Sequence, residues 1–150
     1  MREILFRGQT RRKGEKVRLD GTPVDGNWVY GGVAQFNEER AIIYQTEPEF
    51  HKFSVYADTV GQYTGLTDKN GKKIFDGDIV HAVYQSNYVG CENIDYGIGV
   101  VKYDDSYYGG ASYQIDIIGE IGSRAFTASL ERGVEVIGNV HDNPELLKGE

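Results

Sequence analysis

The chain of 150 residues has a single cysteine, Cys91, so it can form no internal disulfide and no metal site built from cysteine alone. A reducing, cytosolic setting is the expectation that follows. Proline is almost as scarce, with three residues, and there is one tryptophan. No stretch approaches the roughly twenty apolar residues of a transmembrane helix, and the first eighteen residues lack the apolar core of an export signal. The expectation is a soluble protein that stays where it is made, with no membrane partner. Before residue 140 no segment keeps an apolar period of 3.6 residues, which predicts that helix is scarce. Positive charge is also in short supply: sixteen basic against twenty-three acidic side chains leave a net charge of −7.

That charge is unevenly spread. Residues 1–18 hold seven basic side chains against Glu3 and Glu15, while the remainder has nine basic and twenty-one acidic residues. A basic arm on an acidic body is one signature of nucleic-acid binding. An acidic body also repels phosphate at long range, which disfavours nucleic acid as a general partner.

What the chain has in quantity is glycine and tyrosine, twenty and eleven residues, the residues of turns and of strands. Strands are predicted over Glu3–Arg7, Asn27–Phe36 and Ala41–Gln45. A hairpin turn is expected at Arg11–Glu15 and a loop over 20–26. Gly31-Gly32 inside the second of these strands marks a bulge or a close backbone approach. Glu47–Asp58 is ambiguous, with a brief helical turn near Val55–Val60. Further strands are expected at Lys72–Phe75, Ile79–Tyr84, Gly97–Tyr103, Ser112–Ile118, Arg124–Leu130 and Val134–Val140. The last five are short, evenly spaced and separated by turn residues, which suggests a small barrel. Asp142–Leu147 is read as a single helical turn with Pro144 at its first position and Leu146 and Leu147 docking it.

The densest stretch is Val60–Val80, VGQYTGLTDKNGKKIFDGDIV. Gly61–Leu66 alternates loosely, with Tyr63 and Leu66 expected to be buried, and Gly61 and Gly65 bracket Gln62-Tyr63-Thr64. Asp68-Lys69-Asn70-Gly71 reads as a turn in which Asp68 caps its own backbone and Asn-Gly takes the positive-φ positions. Asp76-Gly77-Asp78 is a second tight turn. Neither GxGxxG nor GxxxxGK[ST] is present, so this is no phosphate loop. A calcium loop fails because Lys72 stands where an oxygen ligand is needed. The three histidines, His51, His81 and His141, share no metal-ligand spacing. No catalytic constellation and no cofactor are called for, although Asp76 and Asp78 could serve a small enzyme as paired carboxylates.

The run VGQYTGLTDKNGKKIFDGDIV, the ending VEVIGNVHDNPELL, the opening MREILFRG and the aromatic segment NWVYGGV together resemble the YopX family of bacterial phages and prophages. The resemblance implies a mostly β, two-part fold with an SH3-like barrel in its C-terminal part, and it carries no catalytic residues. The resulting expectation is a β-rich fold with an N-terminal β part over residues 1–75, an SH3-like barrel over 76–141 and a tail over 142–150. Gly61, Gly65, Asp68, Asn70, Gly71, Asp76, Gly77 and Asp78 are its signature turn residues. The expected function is that of a non-enzymatic phage or prophage accessory protein in the cytoplasm of a bacterial host. It would bind another protein and form a homo-oligomer. Tyr84, Tyr88, Tyr103, Tyr107 and Tyr108, clustered in the second half, are the candidate partner-binding residues. The alternative is nucleic-acid binding through the basic N-terminal segment and the barrel surface.

Overall fold

The structure, a computed structural model, describes residues 4–13, 27–35, 37–46, 48–84, 90, 92, 94–104, 112–117, 124–125 and 133–147. The chain is mainly β, and its only described helical pieces are two short 3-10 turns. Among the described residues no helix is long and apolar enough to cross a membrane. Two compact units divide it, Met1–Tyr63 and Thr64–Glu150.

The first unit is an antiparallel sheet. Its strands are β1 (Phe6–Arg11), β2 (Asn27–Gln35), β3 (Arg40–Gln45), β4 (His51–Tyr56) and the start of β5 (Gly61–Thr67). They lie in the order β4-β3-β2-β1-β5. Alternation sends Val29, Ala41, Ile43 and Val55 to one side, where they form a core with Phe6, Val33 and Phe53 packed against it. Each fully buried aliphatic chain of this kind contributes about 1.5–3 kcal/mol. The ambiguous segment resolves into β4 and a 3-10 turn, Ala57–Thr59. Thr59 fastens that turn to the sheet: its hydroxyl oxygen accepts from Gln9 N at 2.9 Å and donates to the Tyr56 carbonyl at 2.6 Å.

The opening strand differs from its sequence expectation. It begins at Phe6, leaves Ile4 74% exposed, and continues through Arg11, where a turn was expected. The reason is tertiary: Phe6 to Arg11 pair along β2 as far as Asn27, and that ladder overrides the local turn preference. The rest of the expected hairpin turn after Lys13 and the 20–26 loop lie outside the described residues.

In the second unit, β6 (Lys73–Phe75) neighbours β5, whose later residues belong here. A five-stranded antiparallel sheet follows, from β7 (Asp78–Tyr84), β8 (Ile94–Asp104), β9 (Ser112–Ile117), β10 (Arg124–Ala125) and β11 (Val134–Asn139). Its order is β10-β9-β8-β7-β11, so the last strand returns beside the first. Ile74, Val80, Ala82, Val101, Ile115 and Val134 form the core, with Tyr96 and Val136 packed on it. On β8 the register passes from Gly97 opposite Ala82 to Asp95 opposite Val83, which leaves Tyr96 as the extra residue of a bulge. On β9 both Gln114 and Ile115 are buried, so this strand is covered on two faces rather than one. Strand β10 is described only at Arg124–Ala125; the rest of the expected Arg124–Leu130 strand lies outside the described residues.

The final turn is a 3-10 helix, Pro144–Leu147, with Pro144 at its first position as expected. Its docking differs, because Leu146 is exposed and no residue of the turn is buried. The turn is held by amides instead. Asn139 Oδ1 accepts from His141 N at 3.0 Å and Asp142 N at 2.9 Å, while Asn143 Oδ1 accepts from Asn139 N at 3.2 Å.

Candidate functional site

The polar residues of the signature stretch Val60–Val80 are the obvious candidates for chemistry. Asp68 is buried, and its carboxylate is a three-way acceptor. Oδ1 accepts from Asn70 N and Lys72 N, each at 2.9 Å, and Oδ2 accepts from Val136 N at 3.0 Å. The Lys69 amide donates to the Val134 carbonyl at 3.0 Å, so the turn is clasped to β11 by backbone and side chain together. Burial raises the Asp68 pKa, but the three amide donors outweigh it and hold the carboxyl below its ordinary value. Gly71 takes the positive φ of this turn, +82°, whereas Asn70 does not share it. The side-chain bond from Asp68 to the Asn70 amide holds the turn with one left-handed residue rather than two.

Asp78 is also buried, and its Oδ2 accepts from Phe75 N at 2.8 Å across the second turn. Gly77 has φ +92°; its amide donates to the Val101 carbonyl at 2.9 Å and its own carbonyl accepts from Val140 N at 3.0 Å. Thr64 is buried and donates its hydroxyl to the Ile74 carbonyl at 2.9 Å. Gly61 is a buried pairing partner of Arg7, and Gly65 has φ +87° within β5. Asp76 is half-buried. The carboxylates of Asp68 and Asp78 thus close turns and accept from backbone amides.

Of the tyrosines proposed for partner binding, Tyr88, Tyr107 and Tyr108 lie outside the described residues. Tyr84 and Tyr103 stand in β7 and β8 by their backbone, and their side chains also lie outside what is described. The described exposed aromatics are elsewhere: Tyr30, Tyr44 and Phe50, all in the first unit.

These three residues sit at the face of the first sheet opposite its core, or at its margin. The strand period places Arg7 on β1, Trp28, Tyr30, Gly32 and Ala34 on β2, Arg40, Ile42 and Tyr44 on β3, and Lys52, Ser54 and Tyr56 on β4 along this face. Gly32 pairs with Tyr44, and Tyr44 with Lys52. The Tyr44 ring lies across Gly32: a Cβ there would fall 2.5 Å from Cζ and 2.7 Å from the hydroxyl oxygen. Phe50 lies near-parallel to that ring, with centroids 6.5 Å apart and 26° between the planes. At Gly31 a Cβ would run into the Tyr44 carbonyl, so the glycine pair is the close approach its sequence advertises.

Cations complete the face. The Arg7 guanidinium sits 4.5 Å from the Trp28 ring centroid, and Arg12 and Arg40 lie 4.1 Å and 4.0 Å from that of Tyr56. Arg12 also grips Asp58 with Nη2 at 2.9 Å and 3.1 Å from the two carboxylate oxygens. Among the described residues no carboxylate stands on the strands of this face; Asp58 and Glu49 lie at its margins. The sequence signal for this site is the NWVYGGV segment, where the glycines let one aromatic strand approach another.

One other titratable pair is notable. His81 Nε2 lies 2.8 Å from Asp95 Oδ1, which also accepts from Gly97 N at 2.8 Å. The histidine first and the amide second hold the Asp95 carboxyl below its ordinary value. Both side chains are exposed, and the amide contact ties the pair to the β8 bulge.

Comparison with known proteins gives three results. No curated protein matches the chain. Among solved structures, protein EF1440 from Enterococcus faecalis is similar, with 19% identity, 99% of this chain and 100% of that chain covered, and a TM-score of 0.49. The model of the family described as YopX protein matches residues 22–148, most of the length, and the chain belongs to the YopX family.

Proposed function

We propose that this chain is a non-enzymatic binding module for another macromolecule, and that it binds through the outer face of the first sheet. The observation that carries the reading is the grouping of Tyr30, Tyr44 and Phe50, each exposed, beside Lys52 and Arg40. Monomeric proteins scatter exposed aromatics singly, whereas a grouped set with a polar rim is characteristic of recognition surfaces. The carboxylates of the signature turns support the non-enzymatic part, since Asp68 and Asp78 accept from backbone amides and hold the second unit together. Work in the cytoplasm of a bacterial host, as an accessory protein of a phage or prophage, belongs to the same reading. A protein partner and self-association are the partners the sequence favours.

Photo-crosslinking tests it directly. A crosslinking residue placed at Ala34, on the same face and exposed, should capture a macromolecule in host extract, and Tyr44→Ala should abolish that capture. Capture that persists unchanged in Tyr44→Ala would move the site elsewhere.

A further inference from the structure

The outer face of the first sheet has a chemistry narrower than general stickiness. Its charged side chains on the described strands are Arg7, which is buried against Trp28, Arg40, half-buried over Tyr56, and the exposed Lys52, with no carboxylate among them, so its complement is anionic. The whole-chain charge of −7 does not describe it. The first unit has nine basic and nine acidic residues, and the second has seven basic and fourteen acidic. The net negative charge is therefore confined to the second unit, and the first is neutral overall, with Arg7, Arg40 and Lys52 of its nine basic residues on this face.

The aromatic geometry narrows the partner further. Gly32 gives the Tyr44 ring a flat seat on the sheet, and Phe50, 61% exposed, lies near-parallel beside it. Two near-parallel rings, both exposed, offer planar surface on which another planar group can stack. Lys52 faces Tyr44 directly across the ladder, within reach of a charge attached to such a group. Stacked planar groups joined by regularly spaced negative charges are the chemistry of a single-stranded nucleic acid, whose unpaired bases expose their faces. A duplex hides those faces, and an acidic protein surface supplies charge without the planes.

We infer that the face of Tyr44, Phe50, Tyr30 and Lys52 binds single-stranded nucleic acid, its bases stacking on the rings and its phosphates meeting Lys52 and Arg40. This rests on the binding-module reading and specifies its partner. Gly32 is a positioning residue, because it sets the tilt of Tyr44 without touching the strand. Binding is sequence-tolerant, since every base has a π-face.

The test is fluorescence anisotropy of a labelled single-stranded thymidine oligonucleotide of about sixteen nucleotides, titrated with the full chain at ~50 mM and ~200 mM salt. Binding should be saturable and weaken with salt, and an unlabelled duplex of equal length should compete poorly. Tyr44→Ala should weaken binding about fivefold or more at either salt. Lys52→Gln should weaken it and flatten the salt dependence by somewhat less than one unit of log slope. Gly32→Ala should reduce affinity while Lys52's contribution to the slope is kept. Circular dichroism of each variant guards against a folding artefact, and Tyr44→Phe, which keeps the ring, should restore wild-type affinity. Absence of binding at low salt overturns the inference, as does binding that Tyr44→Ala leaves unchanged. Crosslinking from Ala34 in the same preparations separates the two levels. A captured protein together with no oligonucleotide binding removes the nucleic acid and keeps the binding module, whereas neither result removes both.

Discussion

Gly8 and Gly32 in the first unit have no positive φ, yet a Cβ at either would lie 2.8 Å from Val55 Cγ2 or 2.5 Å from Tyr44 Cζ. Gly71 and Gly77 in the second unit have φ +82° and +92°, and the nearest described neighbour to a Cβ at Gly77 is 3.7 Å away, with none within 4 Å at Gly71. In one unit the glycines make room for side chains pressing on a sheet. In the other Gly71 and Gly77 let the backbone enter turns that aspartates then clasp, although Gly138 there repeats the close approach, a Cβ lying 2.6 Å from Asn143 Oδ1. The two units rest on different physics: the first on close packing and cation–aromatic contacts, the second on left-handed turns and buried carboxylate–amide bonds. Perturbations chosen for one kind of support should leave the other unit's behaviour largely intact.

The strongest perturbation is Asp68→Ala. It strips three backbone amides of a charged acceptor in a buried setting, and a loss of about 3 kcal/mol is expected. Hydrogen exchange should quicken across residues 68–72 and β11, while Trp28, the chain's one tryptophan, continues to report a folded first unit. Equal quickening in both units would show that the comparison is false. Acid should act through the same group. Because the folded pKa of Asp68 is lowered, its stabilisation is complete above the unfolded value of about 4 and disappears as pH falls through the folded value. Asp68→Asn should remove that acid limb and flatten the pH dependence of exchange in the second unit.

Glycine substitutions come next and separate the two kinds of glycine. Gly77→Val should cost about 1–3 kcal/mol, from backbone strain alone, and Gly77→Asn appreciably less, since asparagine tolerates the left-handed region. Gly8→Ala should cost about as much, from overpacking, and asparagine would not relieve it. Removing the obstacle should: in a Val55→Ala background the penalty of Gly8→Ala should shrink by about 1 kcal/mol, measured as a coupling energy by urea titration. An additive double mutant would mean that Gly8 is fixed by its backbone after all.

These tests also mark what the sequence discloses. Local turn chemistry is legible: Asp68 followed by Asn70-Gly71, Gly77 between two aspartates, and Pro144 opening the last turn each work through neighbours a few residues away. The β-rich fold and most strand positions follow from period and turn spacing. What lies beyond reach is the partner across the chain. The bond from Val136 to Asp68 spans 68 positions, and that from Gln9 to Thr59 spans 50. Nothing near Asp68 indicates that one of its three accepted bonds comes from β11. The candidate site shows the same limit. Tyrosine density draws attention to the second half, whereas the described exposed rings are brought together by the β2–β3 and β3–β4 ladders of the first. Gly31-Gly32 is the one local sign of that meeting, and it speaks of close approach without naming Tyr44.

The smallest predicted effect is the most discriminating for the first unit. Arg12 is held by two bonds to one carboxylate and lies over the Tyr56 ring, both contacts at the surface. Arg12→Lys keeps the charge but loses the planar fork that meets both oxygens and the flat cation that covers the ring. Exposed ion pairs are worth about 0.2–1 kcal/mol and exposed cation–π contacts a similar amount, so the loss should be at most about 1 kcal/mol. Arg12→Met keeps much of the covering surface and discards the charge. If stacking area matters more than the ion pair, Met should be no worse than Lys, and high salt should leave the difference unchanged because dispersion is not screened. If the Asp58 pair matters more, Met should be the worse of the two at low salt, with the gap closing as salt is added. Urea titration followed by Trp28 fluorescence at two salt concentrations decides between them. The second outcome would mean that charge pairing, rather than packing against rings, organises this end of the first sheet.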